Sequence, residues 1–178
     1  MNIQPIHGDI VEMAPRGAEL AGLWICGGFD EHFHRWRYGF RAKYPALKPL
    51  DDGTDLERPW LAAADQVFEI DPPDELLRYI YVFSNPSDVK GLPTLEAVKS
   101  AVACCLDRAV KLEVRGVALV HIPFAPEGRT PTFQQDNQSA RAILEMLRLW
   151  DECFPDRIDE VCLVDSGGRF DDLLPPPL

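Results

Sequence analysis

At 178 residues, 46% of them hydrophobic and 26% charged, the chain suits one sizeable core and is short for two ordinary domains. No run approaches the ~18 to 20 uninterrupted apolar residues of a membrane-spanning helix. The opening MNIQPIHGDI also lacks the basic flank and apolar stretch of a signal peptide, so the expected location is the cytoplasm, away from membranes. A formal net charge of -11 disfavours a general nucleic-acid binder but leaves room for a small phosphorylated ligand, because backbone amides at a helix N-terminus hold phosphate whatever the net charge. Five cysteines, Cys26, Cys104, Cys105, Cys153 and Cys162, form an odd set without CxxC spacing and read as reduced thiols.

Asn2–Ile6 and Ala21–Cys26 (AGLWIC) read as strands, the second apolar enough to be buried on both faces. Gly27-Gly28 ends it, and Phe29, Phe33, Trp36, Tyr38 and Phe40 permit a helix from Phe29 to Tyr44 that stops before Pro45. From Pro45 to Asp65 the Pro, Asp and Gly content favours turns, which predicts a surface excursion. Gln66–Ile70 and Tyr79–Ser84 are strand-like, with Pro72-Pro73 between them. Thr94 caps the clearest helix, whose apolar face is Leu95, Val98, Val102, Cys105, Leu106 and Ala109.

Val117–Ile122 is a buried strand, Pro123 to Gln135 a loop, Ala140, Ile143, Leu144, Leu147 and Trp150 a second helical face, and Ile158–Val164 the last strand. Strands alternating with helices predict an α/β fold, a three-layer α/β/α arrangement with a mixed central sheet and helices on both faces. Residues 1–165 are read as the single domain and 166–178 as an irregular C-terminal tail.

Three local patterns carry a resemblance. Gly8-Asp9-Ile10 follows the opening strand. Gly27-Gly28-Phe29-Asp30-Glu31-His32-Phe33-His34 gives Gly-Gly-x-Asp-x-x-x-His at a strand-to-helix junction. GVALVHIPFAPEG is followed by a helix and by DRIDEVCLVD. With the order of elements, these resemble the macro domain, whose members bind ADP-ribose and in one branch hydrolyse ADP-ribosyl bonds.

The resemblance implies that Asp9, with Ile10 beside it, reads the adenine. It also implies that Gly27, Gly28 and Phe29 form the first phosphate loop, that Ala125, Pro126, Glu127, Gly128 and Arg129 form the second, and that Asp30 is the catalytic carboxylate if hydrolysis occurs. No cofactor or metal is implied. Two departures stand out. AGLWIC occupies the space of the family's Asn-Ala-Ala-Asn stretch, and the second loop lacks Gly-x-Gly. There Pro126 removes an amide donor and Glu127 adds a like charge, while Arg129 offers a guanidinium suited to a phosphate oxygen pair.

Each candidate has a plainer reading. Gly27-Gly28 can be a tight turn, Asp30 a helix cap and Asp9 a turn starter. His32 and His34, two apart on a helix, point about 200° from each other and do not readily share one ion. His121 in an apolar strand fits a satisfied core histidine. The mixture HFHRWRYGFRAKY fits an amphipathic helix better than an interaction surface. The expected activity is therefore binding of ADP-ribose or a related adenine-diphosphate metabolite. The alternative is a divergent scaffold without a nucleotide that works through a protein partner.

Overall fold

The computed structural model describes residues 1–12, 17–26, 35–51, 65–74, 76–85, 94–122, 133–171 and 173–174. Seven strands form one mixed sheet: β1 (Asn2–His7), β2 (Leu20–Cys26), β3 (Leu47–Pro49), β4 (Asp65–Asp74), β5 (Leu77–Asn85), β6 (Gly116–Val120) and β7 (Glu160–Asp165). Their order is β1-β7-β6-β2-β5-β4-β3. The block from β1 to β5 is parallel throughout, whereas β4 runs antiparallel to both β5 and β3. Pro5 lies in one edge strand and Pro49 in the other.

Period-two alternation divides the inner strands between two cores. Leu20 and Trp24 of β2, Tyr79 and Tyr81 of β5, Val117 and Leu119 of β6 and Val161 and Leu163 of β7 face one side. Ala21, Leu23, Ile80, Val82, Ala118, Val120, Cys162 and Val164 face the other. The first side is covered by two long helices, α2 (Leu95–Lys111) and α3 (Phe133–Cys153). Thr94 caps α2 as its spacing predicts, its Oγ1 accepting from the N–H of Ala97 at 3.2 Å, a contact worth about 1 kcal/mol. Val98, Val102, Leu106 and Ala109 of that helix are buried, and each large aliphatic side chain among them contributes roughly 1.5–3 kcal/mol. The sheet and helices approach closely at Gly22, where a Cβ would lie 2.7 Å from Leu119 Cδ2 and 2.9 Å from Cys105 Sγ.

The second side is covered by a π-helical turn, Arg35–Phe40, which runs into a single α-turn, α1 (Arg41–Lys43). This corrects the predicted α-helix over its described part. Trp36, Phe40 and Tyr44 are buried, with Trp36 tilted against Phe68 at a ring separation of 4.6 Å. Tyr38, one of the aromatic positions that permit the helix, is 63% exposed, because a residue two positions from Trp36 and Phe40 falls on the opposite side of the turn.

Two further strand boundaries differ from the sequence reading. Within the Pro45–Asp65 stretch, Leu47–Pro49 pairs with β4 as an edge strand, held by burial of Leu47. β4 also continues through Pro72 and Pro73 to Asp74, with a bulge against β5 and a cis Asp71–Pro72 bond. Among the described residues, no helix is long and apolar enough to cross a membrane.

Candidate functional site

Because β1, β7, β6, β2 and β5 run parallel, their C-terminal ends line one edge of the sheet. Every motif singled out from the sequence follows one of those ends in the chain. Gly8–Ile10 follows β1, Gly27–Asp30 follows β2 and Ala125–Arg129 follows β6. β2 and β6 are direct neighbours, registered Leu20 to Val117 through Gly22 to Leu119. From β6 the chain proceeds to β7 on one side, whereas from β2 it proceeds to the strands on the other. The junction is therefore a topological switch point, the place where open α/β sheets offer a crevice to ligands.

Asp9 and Ile10 are the candidates that lie within the described residues. Gly8 leaves β1 at φ 152°, a positive angle that glycine tolerates and side-chain-bearing residues rarely adopt. Asp9 then builds an Asx-type turn, its Oδ1 accepting from the N–H of Val11 at 2.8 Å and its carbonyl accepting from the N–H of Glu12 at 3.1 Å. Ile10 is 1% exposed and packs into the second core, so it can meet a ligand only through its backbone. Gly27, Gly28, Phe29, Asp30, Ala125, Pro126, Glu127, Gly128 and Arg129 lie outside the described residues, as do His32 and His34.

The same edge carries a cluster that sequence reasoning missed. Asp165, the last residue of β7, is nearly buried and accepts from the backbone N–H of Arg169 at 2.7 Å and from its guanidinium at 2.5 Å. Burial pushes the Asp165 carboxyl up. The N–H groups of Arg169 and Gly167, with the charges of Arg169 and His121, outweigh this and leave it below the ordinary carboxylate value.

This turn seats Phe170 in the core, 1% exposed, edge-on to His121 at 5.9 Å. Asp171 then meets His7 Nε2 at 2.5 Å, and Gly168 fits beside that imidazole, where a Cβ would come within 2.9 Å of its Cε1. His121 itself is buried, as a core histidine is expected to be. One signal could have found the cluster: DSGGRFD places a Gly-Gly pair, a charge and an aromatic residue directly after β7, much as Gly27-Gly28 follows β2.

Trp24 is enclosed on the helix-covered side, stacked on Phe83 at 4.7 Å. Among the described residues, no group of three or more His, Cys, Asp or Glu side chains is arranged to hold a metal ion.

No family model matches the sequence, and no curated protein matches it. Solved structures do. The macrodomain of Thermus aquaticus DarG aligns with a TM-score of 0.60 at 17% identity, over 92% of this chain and 97% of that one. The Trypanosoma brucei macrodomain in complex with ADP-ribose aligns with a TM-score of 0.62 at 14% identity, over 96% of this chain and 66% of that one. The same protein in complex with ADP gives a TM-score of 0.63 at the same identity and coverage. The chain has the macrodomain fold, carried by a sequence far diverged from those of the solved structures that share it.

Proposed function

We propose that the chain binds ADP-ribose, or a closely related adenine-diphosphate metabolite, along the edge formed by the C-terminal ends of β1, β7, β6 and β2. The observation that carries this reading is topological. The strand order makes β2 and β6, each followed in the chain by a candidate phosphate loop, direct neighbours at the switch point. The ADP-ribose and ADP held by the Trypanosoma brucei macrodomain support the choice of ligand.

In this reading Asp9 accepts a hydrogen bond from the adenine amino group and Ile10 contributes its backbone. The amides of Gly27, Gly28 and Phe29 face the diphosphate from one side, and Ala125, Glu127, Gly128 and Arg129 face it from the other. Pro126 contributes no amide, and the Arg129 guanidinium supplies charge in its place.

If a bond is cleaved, it is the one between the anomeric carbon of the distal ribose and the oxygen of an attached ester. Asp30 orients a water for attack on that carbon and takes one of its protons, the ester oxygen leaves with the bonding electron pair, and free ADP-ribose results. Unchanged turnover in Asp30→Ala would dispose of that step without touching the binding reading.

The test is calorimetric titration with ADP-ribose, with AMP and NAD as comparisons. Saturable binding selective for ADP-ribose supports the reading. No heat at millimolar ligand overturns it in favour of a scaffold that works through a protein partner, a role motivated by AGLWIC in place of the family's asparagine-bearing stretch and by the altered second loop.

A further inference from the structure

Asp9 is two residues away from a carbonyl that a different element holds. The Asp9 carboxylate is oriented by the N–H of Val11, and the carbonyl of that same Val11 accepts from Lys43 Nζ at 3.2 Å. The Val11 side chain lies against Gly39, where a Cβ would come 3.0 and 3.1 Å from its two methyl carbons. Lys43 is fixed in turn. Its ammonium stands 3.4 Å from Asp74 Oδ2 and 5.2 Å from the centre of the Tyr44 ring, and the Tyr44 hydroxyl donates to that same Asp74 oxygen at 2.8 Å. Ile10, between Asp9 and Val11, is locked in the core. The turn that aims Asp9 is thus gripped on its backbone, its side chain and its centre.

From this we infer that Lys43, together with Gly39, is a positioning element that makes the Asp9 carboxylate selective for a 6-amino purine over a 6-oxo purine; the inference rests on the reading of Asp9 proposed above. A 6-amino group donates to a carboxylate, whereas a 6-oxo group presents only lone pairs to it. A loosely held carboxylate can pivot to the ring N1–H that a 6-oxo purine carries and recover a hydrogen bond. A carboxylate held in one orientation cannot, and it pays for the mismatch as an unpaired polar group. Selectivity between the two bases therefore depends on how firmly Val11 is held, beyond the identity of residue 9.

The experiment compares wild type, Lys43→Met, Lys43→Arg and Gly39→Ala, titrated with ADP-ribose and with inosine-diphosphate-ribose, with thermal unfolding recorded for each. Wild type is expected to favour ADP-ribose. In Lys43→Met that preference falls by about tenfold, the effect of losing one hydrogen bond from a charged donor. Lys43→Arg keeps the preference, and Gly39→Ala, which presses on Val11 without removing a charge, lowers it.

A purely structural Lys43 would weaken both ligands equally and leave their ratio unchanged. That result overturns the positioning role while ADP-ribose binding stands. If Lys43→Met fails to fold, an unchanged ratio in Gly39→Ala overturns it equally. A wild type that binds neither ligand, or both alike, overturns the reading of Asp9 and this inference with it.

Discussion

Replacing Phe170 by alanine is expected to destabilise the whole domain, although the residue lies five positions beyond the last strand. Phe170 is 1% exposed and belongs to the core that α2 and α3 cover, packed edge-on to His121. Removing a fully buried phenylalanine costs about 3–5 kcal/mol, and Phe170 sits in a turn outside any helix or strand, which can settle inward, so the lower figure applies here. For a domain of this length each kcal/mol moves the midpoint by about 2–4 °C, which places the fall in Tm at roughly 6–12 °C. Phe154, at 50% exposure near the end of α3, serves as the control. Its ring leans on Trp150 at 5.2 Å, so its alanine variant should lose about 1 kcal/mol. Thermal and urea unfolding followed by circular dichroism measure both. A Tm for Phe170→Ala within 2 °C of wild type, or equal to that of Phe154→Ala, would refute the claim that the segment after β7 is part of the core.

Asp165 should make stability depend on acid pH. Its carboxyl titrates below the ordinary value when folded, so the stability it contributes is complete above that value and is lost as pH falls through the lower, folded one. Asp165→Asn should be less stable than wild type at pH 7 and show a flatter loss below about pH 4; parallel unfolding curves from pH 7 to pH 3 would contradict this. Among the described cysteines, Cys153 is exposed, while burial pushes the thiols of Cys105 and Cys162 up, the latter to about 11. A disulfide reagent at pH 8 should therefore label Cys153 in the native protein, with Cys105 and Cys162 reacting only in denaturant. Mass spectrometry of the labelled peptides decides it.

The elements legible in the sequence were those that repeat a burial pattern. The face Val98, Val102, Cys105, Leu106 and Ala109 announced α2, and unbroken apolar runs announced β2, β6 and β7. β3 was hidden because one buried leucine between prolines carries no period, and pairing to β4 alone makes it a strand. The π-helical turn was missed because Trp36, Phe40 and Tyr44 recur every four residues, a spacing an ordinary helix satisfies equally well. At the candidate site, Asp9 was singled out through a local motif. The Asp165–Arg169 and His7–Asp171 pairs were not, because the first looks like an exposed turn until Phe170 is buried beneath it, and the second joins residues 164 positions apart.

The two edge prolines bear on how this sheet can associate. In β1 the N–H groups of Asn2 and, just beyond the strand, Gly8 point inward to β7, donating to Asp159 and Asp165. By alternation Pro5 falls where the N–H would point out of the sheet. In β3 Leu50, directly after the strand, donates inward to Val67, so Pro49 likewise occupies an outward position. Each margin of the sheet thus has a gap in its ladder of outward donors, and the β3 margin is only three residues long. Among the described residues, an extended segment from another molecule finds an interrupted ladder at both Pro5 and Pro49, which guards these strands against strand-by-strand polymerisation.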